Sequence, residues 1–240
     1  MTEFNKSQWA KPEFTQGYRD SADVYIVERK RMLGILKSFY EHFSSSNPNS
    51  NILDLGCGDG VVIYELLKIN NSIEATLIDG SEDMLNKAKD RLKDFGNLHF
   101  IQASFQNILN RDTTLQNYDL IVSSLAIHHL TLEEKTAFFR TIYSHLNAGG
   151  YFLNIDVVLA PSDALENWYL LLWEKWIDER KAILGIEGSQ YDDIIKRYKD
   201  NTDNKPDTLA SQLRALQTIG FEDVDCFYKY GIFTMYGGKK

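Results

Sequence analysis

The sequence predicts an α/β fold with a doubly wound, mostly parallel sheet that carries helices on both faces. Three observations predict it. Five short apolar runs alternate with helix-like patterns, a glycine-rich turn follows the first run, and two strand-like runs meet at Gly231 near the end of the chain. Strands that alternate with helices pair in parallel, because a parallel neighbour requires a crossover connection.

Seven strands are predicted in all. The first five span residues 51–55, 73–78, 98–102, 118–123 and 150–157, and the last two span 221–229 and 232–236. Helical patterns cover residues 61–69, 81–95 and 131–146, and Thr131 with Glu134 has the spacing of a capping box. Because a junction as short as Gly231 is typical of a hairpin, we expect an antiparallel pair at the end of the chain.

Further helices flank this alternating core. One is predicted over residues 22–43, before a serine- and asparagine-rich linker at 44–50. A long helix over 162–184 follows Pro161, with Asp163 and Glu166 spaced as a cap pair and Gly185 at its end. Shorter helices are expected at 192–198 and 208–219. The predicted organisation is an N-terminal helical cap, 1–48, and a main domain, 49–240, with a helical insertion at about 160–205.

Composition narrows the class of protein. The 240 residues are 43% hydrophobic and carry a net charge of −8, so a sizeable core is expected and direct nucleic-acid binding is not. The two cysteines, Cys57 and Cys226, lie far apart and no metal-ligand spacing is visible, which favours a reducing cytoplasm. The apolar runs end well before ~18 residues and no signal-type segment is visible, so no membrane span is expected.

The stretch "ILDLGCGDG" suggests a ligand site. Gly56, Gly58 and Gly60 follow the first strand directly, where bare backbone lets a ligand approach closely. A dinucleotide fingerprint has the spacing G-x-G-x-x-G, which this turn lacks. Asp54 would also repel a pyrophosphate, whereas it would attract a ligand that carries an ammonium group. A nicotinamide oxidoreductase is therefore disfavoured.

Asp79 ends the second strand, about 20 residues after the glycines, where a ribose-binding acid is expected. Its carboxylate can accept both ribose hydroxyls. The ligand should therefore contain a ribose, no phosphate in the turn, and a positive charge near Asp54. S-adenosylmethionine meets these three conditions.

Five successive motifs resemble those of the class I S-adenosylmethionine-dependent methyltransferases. They are "ILDLGCGDG", "LIDGSEDML", "FIQASF", "YDLIVSSLAIHHL" and "LNAGGYFLNID", and together they cover residues 51–156. The resemblance implies a Rossmann-like seven-stranded sheet whose last strand is antiparallel. It also implies methyl transfer from S-adenosylmethionine, with S-adenosylhomocysteine as the product. The "AIHHL" segment is similar to the small-molecule and quinone-type branch of that class.

The resemblance also implies roles for particular residues. Asp54 would orient the amino group of the cofactor, Asp79 would bind the ribose diol, and an acid expected after the third strand is missing here. The implied cofactor-binding residues are Asp54, Gly56, Cys57, Gly58, Asp79, Gly80, Met84, Ala103, Ser104, Phe105, Ser123 and Ser124. His128 is the candidate general base, and the alternative is a structural role for the His128–His129 pair.

The sequence allows alternative roles for two regions. The tryptophan-rich helix at 162–184 is a substrate cover, a homodimer surface, or ordinary core packing. Tyr18, Tyr25, Arg29 and Arg31 would close over the cofactor, with an arginine on its carboxylate, or would form a solvated charged face.

The expected function is methyl transfer to a small-molecule acceptor. The alternatives are an enzyme related to tRNA modification and similar to carboxy-S-adenosylmethionine synthase, and a catalytically silent cofactor-binding protein. The missing acid after the third strand keeps the silent protein open.

Overall fold

A computed structural model describes residues 4, 7, 8, 11, 21–45 and 50–240. Its centre is a seven-stranded sheet in the order β3-β2-β1-β4-β5-β7-β6. In chain order, β1 to β7 span Asn51–Leu55, Glu74–Asp79, Leu98–Gln102, Tyr118–Ser124, Leu146–Val157, Glu222–Tyr230 and Phe233–Lys239. Strands β1 to β5 pair in parallel, and β7 lies antiparallel to both β5 and β6. The predicted sheet is confirmed.

The helices of the described ranges cover both faces of this sheet. In chain order, α1 to α8 span Arg29–Phe43, Val61–Leu67, Glu82–Leu92, Phe105–Leu109, Leu132–His145, Asp163–Leu184, Ile194–Asp200 and Leu209–Ile219. A 3₁₀ turn, Ile127–His129, follows β4. The capping box that the sequence predicts at Thr131 and Glu134 is confirmed. The short helix α4 was not predicted.

Two predicted helix starts differ from the structure. The predicted N-terminal helix is interrupted at Glu28, whose φ is 51°, between a helical turn at residues 21–25 and α1. The break directs Ile26 and Val27 into the core. Helix α6 is capped by Ser162, whose hydroxyl accepts from the N–H of Leu165, so the predicted cap at Asp163 is wrong by one residue.

Two hydrophobic clusters sandwich the sheet. One joins a face of the sheet to α1, α2, α3 and α6, and the other joins the opposite face to α4, α5 and α8. Since the sheet is covered on both faces, the carboxyl ends of its parallel strands form the open edge where ligands bind in such folds. No helix in the described ranges is long and apolar enough to cross a membrane.

Candidate functional site

The glycine turn joins β1 to α2 at this carboxyl edge. Gly56 and Gly58 have φ values of 70° and 54°, in the left-handed region that favours glycine. The N–H groups of Gly56 and Cys57 donate to the carbonyl of Ile78, at 2.8 and 3.0 Å, and fix the turn to β2. A Cβ on Gly56 would lie 2.5 Å from that of Ala126, whereas one on Gly58 would meet nothing within 4 Å. Gly58 therefore presents open backbone.

Asp79 ends β2 beside the turn. Its Oδ2 accepts from the N–H of Gly58 at 2.9 Å, and its Oδ1 accepts from the N–H of Ser81 at 2.8 Å. Burial raises the pKa of the Asp79 carboxyl, and these two N–H groups act in the opposite direction. A carboxylate has about four lone-pair positions, so Asp79 retains acceptor capacity for hydroxyl groups.

Asp54 is a buried carboxyl group on β1. Asp54 is 0% exposed, and neither of its carboxyl oxygens has a hydrogen-bond partner among the described residues. Burial raises its pKa well above the usual range, and the negative charges of Asp79 and Asp59 add to this effect. An unpaired buried carboxyl group is costly. Its position fits a ligand that brings a cation or several donors.

Two cavities adjoin the glycine turn. The first, which we call the α1 cavity, has a volume of about 60 Å³ and lies between α1 and the turn. The second, the Asp79 cavity, has about 140 Å³ and extends along the ends of β2 and β3. Most of the predicted cofactor-binding residues line one or both, namely Gly56, Cys57, Gly58, Asp79, Gly80, Met84, Ala103, Phe105 and Ser124.

Three of the predicted cofactor-binding residues line neither cavity: Asp54, Ser104 and Ser123. The hydroxyl of Ser104 caps α4, and the hydroxyl of Ser123 donates to the carbonyl of Leu55 at 2.8 Å. Gln106, in the first turn of α4, lines the Asp79 cavity instead. The sequence analysis missed Gln106 because it did not predict α4.

Only some of the N-terminal residues that were predicted to close over the cofactor lie near the glycine turn. Arg29 lines the α1 cavity and forms an ion pair with Asp23 at 2.8 Å. Arg31 is exposed and pairs with Glu28 instead. Tyr18 lies outside the described residues.

Other segments also line the Asp79 cavity. Phe4 belongs to the predicted cap and Lys205 to the predicted insertion, but neither residue was predicted as a site residue. The ring of Phe4 lies against Gly80, where an added Cβ would be 2.6 Å from it. On another side, Lys205 lines the cavity, and its N–H donates to the carbonyl of His128 at 2.8 Å. The ammonium of the fully buried Lys135 donates to the carbonyl of Lys205. The segment around Lys205 is thus held firmly to the 3₁₀ turn and to α5.

A third and larger cavity, which we call the aromatic cavity, adjoins the Asp79 cavity. It has a volume of about 580 Å³ and lies between the 3₁₀ turn, α6, α7 and β7. Leu125 and His129 line both cavities. Pockets for small ligands have volumes of roughly 300–1,000 Å³. The position and size of the aromatic cavity suit a second ligand that would contact a ligand in the Asp79 cavity.

His128 lies on the wall of the aromatic cavity. Its Nδ1 lies 2.6 Å from Oδ1 of Asp156, a residue that is 1% exposed and also accepts from the N–H of Val157. A carboxylate partner requires Nδ1 to carry a proton, which leaves Nε2 as the basic nitrogen. No described residue bonds to Nε2. The adjacent His129 differs, because burial and the charge of His128 lower its pKa well below the usual value.

Asp156 is a site residue that the sequence analysis missed. The signal was present, since an acid ends β5 beside the strand that leads to the two histidines. The two residues are 28 positions apart, and they come together because β4 and β5 are neighbours in the sheet. The pairing therefore could not be predicted without the strand order.

The fold and the site define a class of protein. A seven-stranded sheet with an antiparallel β7, and an open glycine turn after β1, are the architecture of the class I S-adenosylmethionine-dependent methyltransferases. The chain belongs to the family described as "Methyltransferase domain", whose model matches residues 46–205. Its methyl donor is S-adenosylmethionine.

Relatives support the family at low identity. The carboxy-S-adenosyl-L-methionine synthase of Nautilia profundicola is 23% identical over 90% of this chain and 86% of its own length. The malonyl-[acyl-carrier protein] O-methyltransferase 1 of Ilyobacter polytropus is 31% identical over 57% of this chain and 47% of its own length.

A solved structure supports the fold. The magnesium protoporphyrin IX methyltransferase of Synechocystis PCC 6803, with SAH bound, superposes with a TM-score of 0.66. The match covers 97% of this chain and 96% of that one, at 14% identity. This chain spans only 60% and 62% of two other solved chains that match it, which are longer proteins.

Proposed function

We propose that this methyltransferase transfers the methyl group to a hydroxyl oxygen of a small-molecule acceptor held in the aromatic cavity. The observation that carries the proposal is the position of His128. Its Nε2, to which no described residue bonds, belongs to a residue on the wall of a cavity that shares Leu125 and His129 with the Asp79 cavity. The proposed base therefore lies on the wall of the proposed acceptor site, which adjoins the proposed donor site.

The cofactor assignment is supported by Asp79, which lines the Asp79 cavity, and by the buried carboxyl group of Asp54, which has no described partner. Asp79 would accept the ribose hydroxyls, and Asp54 would receive the ammonium group, directly or through water. Gly58 leaves room for close approach to the backbone. When bound, S-adenosylmethionine supplies an electrophilic methyl group on a sulfonium. The protein would also align the two reactants, which can lower a barrier by roughly 7–11 kcal/mol.

His128 would act as the general base. As the acceptor oxygen attacks the methyl carbon, Nε2 takes the hydroxyl proton, an oxygen–carbon bond forms and the sulfur–carbon bond breaks. The electron pair of the broken bond remains on sulfur, and S-adenosylhomocysteine leaves. Asp156 holds the ring in the required tautomer and stabilises the imidazolium that forms.

The direct test is methyl transfer from S-adenosylmethionine labelled in the methyl group. The protein is incubated with a cell extract that is then separated into small-molecule, RNA and protein fractions. We expect label in the small-molecule fraction. The labelled compound should carry one methyl group in place of a hydroxyl hydrogen, and its mass should increase accordingly. Label in the RNA or protein fraction alone would contradict the proposed acceptor class.

The same experiment addresses the two alternatives. Relatives named carboxy-S-adenosyl-L-methionine synthase match most of this chain, but at 23–24% identity. An activity of that kind would appear as a carboxylated cofactor in the mass spectrum, without methyl transfer. A silent protein would bind S-adenosylhomocysteine and label nothing.

Three organisational predictions remain proposals. A homodimer through α6 is supported by exposed apolar side chains on that helix, Trp168 and Leu171 among them. Sedimentation of the protein and of Leu171→Glu would test it, since a dimer of this kind should dissociate in the variant. A cap at residues 1–48 and a cytoplasmic location are also proposed, the latter supported by two free cysteines. Limited proteolysis and cell fractionation would test these two.

A further inference from the structure

We propose that the acceptor is a planar aromatic alcohol, a phenol in the chemical sense, and that ring-bearing walls of the aromatic cavity select it. This inference rests on the proposed transfer to oxygen and names its substrate class. Two features carry it: the arrangement of rings around the cavity and the position of a base on its wall.

Three rings on the wall come from elements far apart in the chain. They belong to Trp173 on α6, Tyr198 on α7 and Phe233 on β7. Trp173 meets Tyr198 edge to face, with centroids 5.3 Å apart at 83°, and meets Phe233 at 5.3 Å and 80°. Its indole N–H donates to the carbonyl of Tyr25 at 2.7 Å, which fixes the ring in its plane. The rings therefore form a fixed wall.

A wall of fixed rings favours a flat, aromatic ligand over a saturated one. Aromatic pairs contribute about 0.5–1.5 kcal/mol beyond the apolar area that they bury, through offset or edge-to-face contacts. A saturated ring of the same carbon skeleton buries similar area but lacks the quadrupole and is thicker. One or two such contacts correspond to a preference of roughly tenfold.

The base on the wall independently favours a phenol. The hydroxyl of a phenol, whose pKa is about 10 in tyrosine, is far more acidic than that of water. Proton transfer from a phenol is therefore much less unfavourable than from a hydroxyl as weakly acidic as water.

Tyr198 provides a matched pair of variants, because its ring and its hydroxyl have separable roles. The ring lines the cavity, while the hydroxyl is buried and has no hydrogen-bond partner among the described residues. Removal of an unpaired buried hydroxyl is nearly neutral or stabilising. Tyr198→Phe should therefore retain ring selection, and Tyr198→Leu should lose it.

The test compares 1-naphthol with decahydro-1-naphthol, which has the same skeleton and hydroxyl but no aromatic ring. Affinity is measured by titration calorimetry on the full chain saturated with S-adenosylhomocysteine. We expect 1-naphthol to bind at least about tenfold more tightly to the wild type and to Tyr198→Phe, and this ratio to fall several-fold in Tyr198→Leu. Thermal unfolding of each variant checks that it is folded.

Equal affinities for the two alcohols in the wild type, or a ratio unchanged by Tyr198→Leu, would overturn the inference. The two proposals can fail separately. Ring-selective binding without methyl transfer to any oxygen compound would support the aromatic site and remove the proposed reaction. Methyl transfer to saturated and aromatic alcohols alike would keep the reaction and remove the aromatic class.

Discussion

The proposed cofactor side and the proposed acceptor side of the site are built in opposite ways. The cofactor side consists of backbone and two carboxylates at the ends of neighbouring strands β1 and β2, within 30 residues of sequence. The acceptor side is assembled from side chains on the 3₁₀ turn, α6, α7 and β7, elements spread over more than 100 residues. A site formed by backbone groups uses residues that are close together in the sequence. A site formed by side chains from distant elements depends on the whole fold.

The two sides also differ in charge. Asp54 is buried without a described partner, and the nearby charges of Asp79 and Asp59 raise its pKa further. On the acceptor side, Asp156 is satisfied by His128 and a backbone N–H. The proposed acceptor side is thus preorganised by hydrogen bonds, whereas the carboxyl group of Asp54 has no described partner. Variants on each side test this contrast.

His128→Gln tests the preorganised side. We expect kcat for the acceptor found by methyl transfer to fall by roughly 10²–10⁴, the usual contribution of a general base. The dissociation constant of S-adenosylhomocysteine, measured by calorimetry, should stay unchanged. His145→Gln is the matched control, since this half-buried histidine ends α5 and its Nδ1 meets the carbonyl of Gln116 at 3.0 Å, away from both cavities. A fall in kcat of less than tenfold would show that alignment suffices.

Gly56→Ala tests the backbone-built side. Its Cβ would lie 2.5 Å from that of Ala126 at a φ of 70°, so we expect a loss of roughly 2–5 kcal/mol in the free energy of unfolding. Gly34→Ala, in α1 with nothing within 4 Å, should instead gain roughly 0.5–1 kcal/mol. Urea unfolding of both variants measures this, and equal stabilities would contradict the account of the turn.

Asp79→Ala tests the ribose assignment. We expect the affinity for S-adenosylhomocysteine to fall by roughly 1.5–3 kcal/mol, the range for hydrogen bonds to a charged group. Calorimetry measures it, with Asp223→Ala on the exposed surface of β6 as control. An unchanged dissociation constant would show that another group binds the ribose.

Asp54→Asn should have effects of opposite sign on stability and binding. Burial raises the pKa of Asp54 in the folded state. Its contribution to the free energy of unfolding is therefore fully present at acidic pH, where the carboxyl group is neutral, and is lost as the pH rises through the raised pKa. Asparagine does not ionise, so the variant without ligand should melt at a higher temperature than the wild type at pH 7. Its affinity for S-adenosylhomocysteine should be weaker, because the ammonium group loses its counter-charge.

A pH series checks the sign of this effect. The difference in melting temperature between Asp54→Asn and the wild type should shrink towards pH 4, where the wild-type carboxyl group is also neutral. A variant that melts below the wild type at pH 7, or that binds the ligand equally well, would show that the carboxylate already has a partner.

The sequence predicted the sheet because apolar runs and glycine positions are local signals. The turn at Gly56 and the acid at Asp79 were identified for the same reason, and the structure brings them together. The break at Glu28 was missed, since it arises from tertiary burial of Ile26 and Val27 and overrides a continuous helical pattern. The His128–Asp156 pair was only half predicted, because it depends on the adjacency of β4 and β5.

The attachment of the segment around Lys205 has a kinetic consequence. Its backbone N–H bonds the carbonyl of His128, and the carbonyl of Asp203 meets Nδ1 of His129 at 3.1 Å. A displacement of this segment that widened the Asp79 cavity would therefore break bonds to the turn that carries the proposed base. We expect release of the product and methyl transfer to require different positions of this segment.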